Sequence, residues 1–336
     1  MRRLAPALTA LAVALALTAC VGPFARGGDT LTVYSGRNPN LVDPVLDRFT
    51  EETGIEVERR YGGTAELAAQ ILEEGGRTRA DVFFAQDAGA LGALAKADRF
   101  ADLGPLVDAV ADRYRADDGS WVGVSGRARV IAYNDRKIRE ADVPDSVLDL
   151  TGPQWRSRVG FAPTNASFQA FVTGMRVLRG EERTERWLRD FQQNDAQEYD
   201  SNVAVLEAVE RGEVDLGLIN HYYWFEKAKE VGADELHVQV KFLAGADPGA
   251  LVNVAGVGVL KGTKRDADAR RLVSFLLERK AQTYFRDVTF EYPLAAGVTP
   301  FEGLPPLSDV AGPQIDLADL DTLDETLALL EKTGVT

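Results

Sequence analysis

An alternation of strands and helices near the start of the chain constrains the fold more than any other feature. Leu31–Ser35 is a short apolar run, a helical pattern with Asn40 as its expected cap follows it, and strand Ile55–Tyr61 comes next. A second helical pattern from Thr64 ends at two glycines and leads into strand Asp81–Ala85. This βαβαβ order is typical of parallel strands with helices on both faces. We therefore predict an α/β fold that begins with a doubly wound, mostly parallel sheet.

The loops after these three strands define an expected ligand edge. In open α/β sheets, ligands bind in the crevice beyond the carboxyl ends of the strands. The loops Gly36–Asn38 and Tyr61–Thr64 and the pair Gln86-Asp87 stand at those ends. We therefore expect Asn38, Gln86 and Asp87 to border one cleft.

The rest of the chain repeats the alternation and predicts a second lobe. Trp121–Asn134 is typical of a long extended crossover, and further α/β units run from strand Val159–Ala162 to strand Val214–Ile219. Strand Asn253–Leu260 is expected to return the chain to the first lobe. With 336 residues, 45% of them hydrophobic, the chain can bury two cores around a hinged cleft. The predicted lobes are residues 30–128 with 253–302, and residues 129–252 with 303–336.

The N-terminus predicts export and lipid anchoring. Two arginines precede an apolar stretch from Leu4 to Leu17, which is a signal-peptide pattern. Leu17-Thr18-Ala19-Cys20 resembles a bacterial lipobox, so we expect residues 1–19 to be removed and Cys20 to carry lipid. A plain secretory signal with an incidental cysteine is the alternative. Residues 20–29 would then be a flexible tether, and the protein would sit on the periplasmic face of the cytoplasmic membrane.

Composition excludes several classes of function. The formal net charge is −14 and no Lys/Arg run offsets it, which argues against a nucleic-acid partner. Cys20 is the only cysteine, His221 and His237 are the only histidines, and no nucleophile-elbow or P-loop motif is present. We therefore predict a binding protein without enzymatic activity and favour a cation as its ligand. We also expect the protein to be a monomer.

Two adjacent tyrosines, Tyr222 and Tyr223, stand where an apolar strand ends and a helical pattern begins. A phenol is normally protonated, but a bound hard cation can displace the proton and gain a strong oxygen ligand. Ferric iron suits such ligands, whereas simple aromatic packing is the alternative explanation. His221 is expected to be a hydrogen-bonding neighbour of the tyrosines, although a neutral ring nitrogen can also bind metal.

Two helix starts offer places for a small anion. Asn165-Ala166-Ser167 opens one helix, and Asn202 opens another. Helix N-termini present free N–H groups and a partial positive charge, although ordinary N-capping explains the same residue types. A trivalent cation on two phenolates still needs further ligands, which an anion at these helix starts can supply.

A series of short motifs runs through the chain in unbroken order. They are Val33-Tyr34-Ser35-Gly36, Glu52-Thr53-Gly54-Ile55, Ala80-Asp81-Val82-Phe83, Ser125-Gly126-Arg127, Ala208-Val209-Glu210-Arg211-Gly212-Glu213-Val214, Asn220-His221-Tyr222-Tyr223-Trp224, Asp247-Pro248-Gly249-Ala250-Leu251 and Glu291-Tyr292-Pro293-Leu294. Through them, the chain from about Leu31 to its C-terminus resembles the ferric-ion-binding proteins of bacterial ABC importers. These proteins are similar in mechanism to one half of a transferrin.

The resemblance implies a function and a site. Tyr222 and Tyr223 would bind Fe³⁺ as the transported ligand, which would be delivered to an ABC permease and its ATPase. A synergistic anion, carbonate, phosphate or citrate, would accompany the iron. The residues implied to hold the anion are Asn165, Ala166, Ser167, Asn202 and Asn220.

The chain departs from the family pattern on the first lobe. Asn38 stands where well-known members have histidine, and Gln86 stands where they have glutamate. Neutral amides are weak partners for Fe³⁺, so we expect water, the anion or a chelator such as citrate to complete the site, unless Asp87 or Glu66 substitutes. Two alternatives remain open: the same scaffold binding a small oxyanion or an organic solute, and a metal-dependent periplasmic hydrolase.

Overall fold

A computed structural model describes residues 30–310 and 312–335. The expected signal peptide, Cys20 and the tether at 20–29 lie outside these residues. The strands are β1 (Leu31–Ser35), β2 (Val57–Tyr61), β3 (Val82–Ala85), β4 (Val122–Arg127), β5 (Arg129–Asn134), β6 (Val159–Phe161), β7 (Gln197–Glu198), β8 (Leu216–Asn220), β9 (Val238–Phe242), β10 (Asn253–Val259) and β11 (Tyr292–Pro293). The α-helices are α1 (Pro39–Thr53), α2 (Thr64–Glu74), α3 (Ala88–Lys96), α4 (Ala166–Arg179), α5 (Glu181–Gln193), α6 (Asn202–Glu210), α7 (Tyr222–Val231), α8 (Asp266–Leu277), α9 (Arg279–Asp287), α10 (Leu307–Val310) and α11 (Leu323–Thr333).

The strands form two sheets, in the orders β11-β4-β10-β3-β1-β2 and β7-β6-β8-β5-β9. β1 is parallel to β2 and β3, and β8 is parallel to β6, so the predicted two-lobe α/β fold is confirmed. Both sheets are mixed, because β10 is antiparallel to β3 and β4, and β5 is antiparallel to β8 and β9. β5 and β10 enter their sheets directly from the other lobe. β5 and β10 start at the cleft edge of their sheets, where the parallel strands end. Their direction is therefore opposite to that of the parallel strands.

The chain passes between the sheets at two places. β4 ends at Arg127 in one sheet and β5 begins at Arg129 in the other, so Ala128 alone makes the first crossing. The second crossing lies between Phe242 at the end of β9 and Asn253 at the start of β10. Every residue of β4 and β5 is buried, which matches a strand pair that runs through the middle of the molecule.

The C-terminal segment packs on both lobes. Leu304, Val310 and Leu320 belong to the core of the six-stranded sheet, whereas Leu329 and Leu330 of α11 join the core of the five-stranded one. The segment before α11 thus contacts the first lobe as well as the second, to which the predicted boundary at 303 assigns it. Gly89 and Gly92 of α3 allow this segment to pack closely on the helix. A Cβ at Gly89 would lie 2.3 Å from the Leu320 carbonyl oxygen, and a Cβ at Gly92 would lie 2.4 Å from that of Ala318.

The start of α1 also differs from the prediction. Asn38, not Asn40, is the N-cap, and its Oδ1 accepts a hydrogen bond from the Asn40 N–H at 3.0 Å. Pro39 at the first helical position favours this start, because its fixed φ suits the helix and it has no N–H to satisfy. Asn38 is exposed and its side-chain oxygen is engaged in the cap.

None of the helices that the structure describes combines the length and apolar character needed to span a membrane.

Candidate metal centre

A cavity of about 130 Å³ lies between the two sheets, where β3, β4 and β8 end. Eight of the residues predicted for the site line it: Gln86, Asp87, Asn165, Ala166, Ser167, Asn220, Tyr222 and Tyr223. Asn38, Asn202 and His221 do not line it, in contrast to their predicted places. Arg127, Arg129, Ala170, Phe171, Pro248, Gly249, Leu251 and Asn253 complete the lining.

The two tyrosines occupy the first turn of α7 and stack against each other. Their ring centroids are 4.3 Å apart with an interplanar angle of 34°. Tyr222 is 4% exposed, whereas Tyr223 is half-buried. Burial, followed by the charge of Tyr223 and the hydrogen bond with it, raises the pKa of Tyr222 well above its ordinary value. The Tyr222 phenol is therefore neutral at physiological pH in the metal-free protein, and a cation must displace its proton in order to bind.

His221 faces away from the cavity and joins the two lobes. The Ala128 N–H donates to its Nδ1 at 3.2 Å, and its Nε2–H donates to the Phe290 carbonyl at 2.8 Å. Burial lowers the pKa of His221 to about 4, so the ring is neutral. Both ring nitrogens are engaged with backbone at the first crossing. The ring therefore packs edge-on beside Tyr222, its hydrogen bonds go to backbone and not to the tyrosines, and it has no nitrogen free for a metal.

The start of α4 borders the tyrosines. Asn165 is its N-cap, and its Oδ1 accepts from the Ser167 N–H at 3.0 Å and from the Ser167 hydroxyl at 2.7 Å. Asn202 is 1% exposed and lies behind Ser167, where its Nδ2 donates to Ser167 Oγ at 3.1 Å. Asn202 therefore orients Ser167. Asn220, in contrast, makes no side-chain hydrogen bond with the described residues and can donate into the cavity.

The opposite side of the cavity carries Gln86, Asp87 and Asn253, which we call the amide wall. Gln86 Oε1 accepts from Arg37 Nη1 at 2.8 Å. Asp87 is the N-cap of α3 and accepts from the Ala90 N–H at 3.2 Å, and burial raises its pKa. Asn253 Oδ1 accepts from the N–H groups of residues 88 and 254 at 3.2 and 2.8 Å. Each member of the amide wall is thus engaged in holding the first lobe together.

A buried ion pair supports the amide wall from behind. Arg37 binds Glu291 through two hydrogen bonds, of 3.0 and 2.7 Å, and both side chains are almost fully buried. Ser125 and Thr289 each donate to the same carboxylate at 3.1 Å. These contacts stabilise the ionised form and hold the pKa of Glu291 below its usual range despite burial.

Of the eight lining residues that sequence reasoning missed, Arg127 and Arg129 are the two that carry charge. Each is 4% exposed, and they flank Ala128 at the first crossing. Arg127 Nη2 donates to the Gln86 carbonyl, and its charge acts on the Tyr222 phenol. Burial lowers the pKa of Arg129 to about 9, so it stays cationic at neutral pH. Two arginines in an otherwise uncharged extended stretch were the signal that could have identified them.

Side chains of the usual metal-binding types do not gather elsewhere. Within the described ranges, no group of three or more His, Cys, Asp or Glu side chains is arranged to hold a metal ion. Phenol, hydroxyl and amide oxygens and the carboxyl group of Asp87 are the donors that the cavity brings together. Burial raises the pKa of Asp87, and hard trivalent iron favours charged oxygen ligands such as phenolate and carboxylate. We call the side formed by Tyr222, Tyr223, Asn165, Ser167 and Asn220 the tyrosine wall.

Comparison with known proteins defines the class. Residues 78–307 match the family model described as bacterial extracellular solute-binding protein. Iron-bound HitA from Pseudomonas aeruginosa has a similar structure, with a TM-score of 0.84 at 38% identity over 91% of this chain and 99% of that one. A Trichodesmium protein, IdiA or FutA, in complex with iron and citrate, has a TM-score of 0.78 at 25% identity, covering 91% and 100%. Fold and cleft are therefore those of a solute-binding protein.

Two relatives show which family of solute-binding proteins the chain resembles. The major ferric iron-binding protein of Neisseria meningitidis serogroup B is 36% identical over 329 residues, which cover 96% of this chain and 97% of the relative. The Fe(3+)-binding periplasmic protein of Serratia marcescens is 34% identical over 307 residues, covering 91% and 90%. The chain belongs to the bacterial ferric iron-binding protein family, whose members are periplasmic transport proteins and not enzymes. The resemblance inferred from the motifs is thereby confirmed.

Proposed function

We propose that this protein captures ferric iron in the cleft between its lobes and delivers it to an ABC permease and ATPase. Tyr222 and Tyr223 bind the metal as phenolates. A synergistic anion, or the chelator with which the iron arrives, supplies further ligands. The lobes close over the loaded site, because iron or its anion, in contact with residues of both lobes, binds the closed form more tightly than the open one.

The observation that carries this proposal is the position of the two phenols. They are adjacent on the first turn of α7, their rings are 4.3 Å apart, and they line the cavity between the sheets. Core packing alone does not require both hydroxyl groups at a cavity surface. Tyr222 is buried beside Arg127, whose positive charge favours the phenolate form.

The test is iron loading followed by visible spectroscopy. Phenolate bound to Fe³⁺ absorbs visible light, so the loaded protein should be coloured and should lose iron only to a strong chelator. Phenylalanine keeps each ring but removes the ligating atom, so the Tyr222→Phe/Tyr223→Phe double variant should be colourless while its apo form unfolds at nearly the wild-type temperature. Normal iron loading by this double variant would end the proposal.

The lipid anchor at Cys20 is the finer part of the proposal, and it is supported by the Leu17-Thr18-Ala19-Cys20 motif. A single acyl chain holds a protein to a membrane only marginally, whereas several chains anchor it stably. Cys20→Ser should therefore move the protein from the membrane fraction to the soluble fraction without changing its iron affinity. Retention of Cys20→Ser in the membrane fraction would contradict lipidation.

A further inference from the structure

His221 stands at the point where the two lobes meet. It is the single residue between β8, which belongs to the five-stranded sheet, and α7, which begins with the two tyrosines. Its backbone N–H donates to the Ala128 carbonyl at 3.0 Å, so it continues the β5–β8 ladder onto the residue that makes the first crossing. The side chain is fully buried. A displacement of His221 is therefore passed directly to the start of α7.

The ring of His221 binds both sides of this junction. Nδ1 accepts from the Ala128 N–H at 3.2 Å, and Nε2–H donates to the Phe290 carbonyl at 2.8 Å. Ala128 lies on the first crossing, whereas Phe290 lies between α9 and β11, a strand of the six-stranded sheet. A single tautomer, with its proton on Nε2, satisfies both partners. The ring thus ties the end of β8 to the first lobe by hydrogen bonds in addition to packing.

Phe290 has a backbone conformation that needs support. Its φ is 54°, in the left-handed region that bulky side chains rarely adopt. The Phe290 carbonyl accepts from His221, and the ring stacks on Phe225 of α7 with centroids 6.1 Å apart. Strained residues persist where their surroundings fix them, and they are concentrated at functional sites. The contact between Phe290 and the start of α7 is therefore a candidate for a role beyond core filling.

The first turn of α7 packs on the cores of both lobes. Tyr222 and Phe225 belong to the core of the six-stranded sheet, although the strand before them belongs to the five-stranded one. Tyr223 packs against the cores of both sheets. The His221 ring lies edge-on to Tyr222, with centroids 5.9 Å apart and an interplanar angle of 89°. The direction of each phenol therefore depends on how His221 seats this turn between the lobes.

From this geometry we propose that His221 is a positioning residue for metal capture. Its ring bonds to Ala128 and Phe290 hold the first turn of α7 at a fixed angle to both lobes. The Tyr222 and Tyr223 oxygens are thereby directed at one point in the cavity. This inference rests on the proposed function and adds to it a residue that does not contact the iron. Ligands that are already in place bind more tightly, because less ordering is needed when the metal arrives.

Three variants separate the two hydrogen bonds of the ring. An asparagine amide reaches the place of Nδ1 and a glutamine amide that of Nε2. His221→Asn therefore keeps the contact with Ala128, His221→Gln keeps the contact with Phe290, and His221→Leu keeps bulk but neither contact. Each variant and the wild type is loaded with ferric citrate. The position of the visible band, the electron paramagnetic resonance of the bound iron and the affinity in competition with a strong chelator are measured.

The expected effects follow the contact between the lobes. His221→Leu should bind iron about ten- to a hundredfold more weakly and shift the visible band, because the phenolates meet the metal at altered angles. His221→Gln should retain most of the affinity and the wild-type band, since it keeps the bond to the first lobe. His221→Asn should resemble His221→Leu more closely. Melting temperatures of the apo proteins are recorded on the same samples.

Two control variants separate positioning from stability. Asn134 is 3% exposed and donates to the Val209 and Glu210 carbonyls at 2.8 and 3.2 Å, outside the cavity lining. Asn134→Ala should lower the melting temperature of the apo protein without moving the visible band or the iron affinity. His237→Gln, at the other histidine of the chain, should leave band and affinity unchanged.

The outcomes distinguish this inference from the proposed function. If the iron-loaded wild type shows no visible band, the proposed function itself is wrong. A wild-type band and affinity in folded His221→Leu would overturn only the positioning role, as would a loss in His221→Gln as large as that in His221→Asn. If His221→Leu does not fold, the comparison of His221→Gln with His221→Asn decides.

A measurement on the wild type covers the case in which none of the three variants folds. Ga³⁺ replaces Fe³⁺ as a diamagnetic ion, and NMR follows the exchange of the His221 ring N–H with solvent. Slow exchange in the loaded protein is expected, because the buried Nε2–H stays bonded to the Phe290 carbonyl. Exchange as fast as that of the His237 ring would show that the contact is broken on loading and would overturn the inference.

Discussion

The two walls of the cleft are built from similar polar residues but use them differently. On the tyrosine wall, the Asn220 amide faces the cavity without a side-chain hydrogen bond to the described residues. On the amide wall, Gln86 and Asn253 are held by Arg37 and by backbone N–H groups. Residue type and position at the cavity are therefore insufficient to identify a ligand, because a polar group that already has its partners gains little from binding a second one.

The largest expected difference between the walls is in iron affinity. Tyr222→Phe and Tyr223→Phe should each weaken iron capture by about a hundredfold or more, because each removes a charged oxygen ligand while keeping the ring. Gln86→Ala should weaken it by less than about tenfold, since its amide oxygen is engaged with Arg37. Competition with a strong chelator measures the iron affinity of the tyrosine variants and of Gln86→Ala. A Gln86→Ala loss as large as that of a tyrosine variant would show that the amide wall ligates iron directly.

The ion pair behind the amide wall should matter for stability. Glu291→Gln leaves Arg37 as a buried cation without its partner and should cost about 3–5 kcal/mol of unfolding free energy. Glu181, which binds Arg176 at 2.6 Å but is half exposed, is the control, and Glu181→Gln should change stability little. Urea denaturation of the apo proteins compares them. Similar stabilities for Glu291→Gln and the wild type would contradict a supporting role for this pair.

A matched pair of asparagines tests the comparison directly. Asn220→Ala should weaken anion-dependent iron binding by about ten- to a hundredfold with little effect on folding, because its amide has no structural partner. Asn253→Ala should instead cost about 1–2 kcal/mol of stability, since two N–H groups lose their acceptor, and should leave anion dependence intact. Iron titrations at several anion concentrations and thermal unfolding are both needed. The reverse pattern would exchange the roles assigned to the two walls.

A last expected effect, confined to stability, concerns Glu226 of α7. Burial, followed by the charge of Glu291, raises the pKa of Glu226 from 4.5 to about 7. The native state therefore keeps a proton that the unfolded chain has lost, and stability falls as pH rises from about 4.5 to 7. Glu226→Gln avoids ionisation, so its melting temperature should exceed that of the wild type at pH 8 and match it near pH 4.5. Equal melting temperatures at both pH values would show that Glu226 titrates normally.

Local patterns were sufficient to predict most of the fold. The apolar spacing of residues 31–85 predicts β1 to β3 and α1 and α2, and the extended stretch Trp121–Asn134 predicts the strands that cross between the lobes. The missed features have physical causes. The N-cap of α1 is Asn38 and not the predicted Asn40, because Pro39 is favoured at the first helical position. The packing of the segment before α11 on the glycines of α3 was missed because it joins residues that are far apart in the sequence.

The candidate site, like the fold, was predicted only in part from the sequence. A strand that ends in two adjacent phenols, within motifs shared by a family, was enough to predict Tyr222, Tyr223 and the helix start at Asn165 as neighbours of one cleft. Only the tertiary structure decided which polar groups remain free, because a hydrogen bond such as that between Arg37 and Gln86 joins residues 49 positions apart. It also brought Arg127 and Arg129 into the cavity, since burial and charge at the crossing depend on both lobes at once. Sequence thus determines the kinds of ligands that a chain can offer, whereas packing determines which of them are left unpaired.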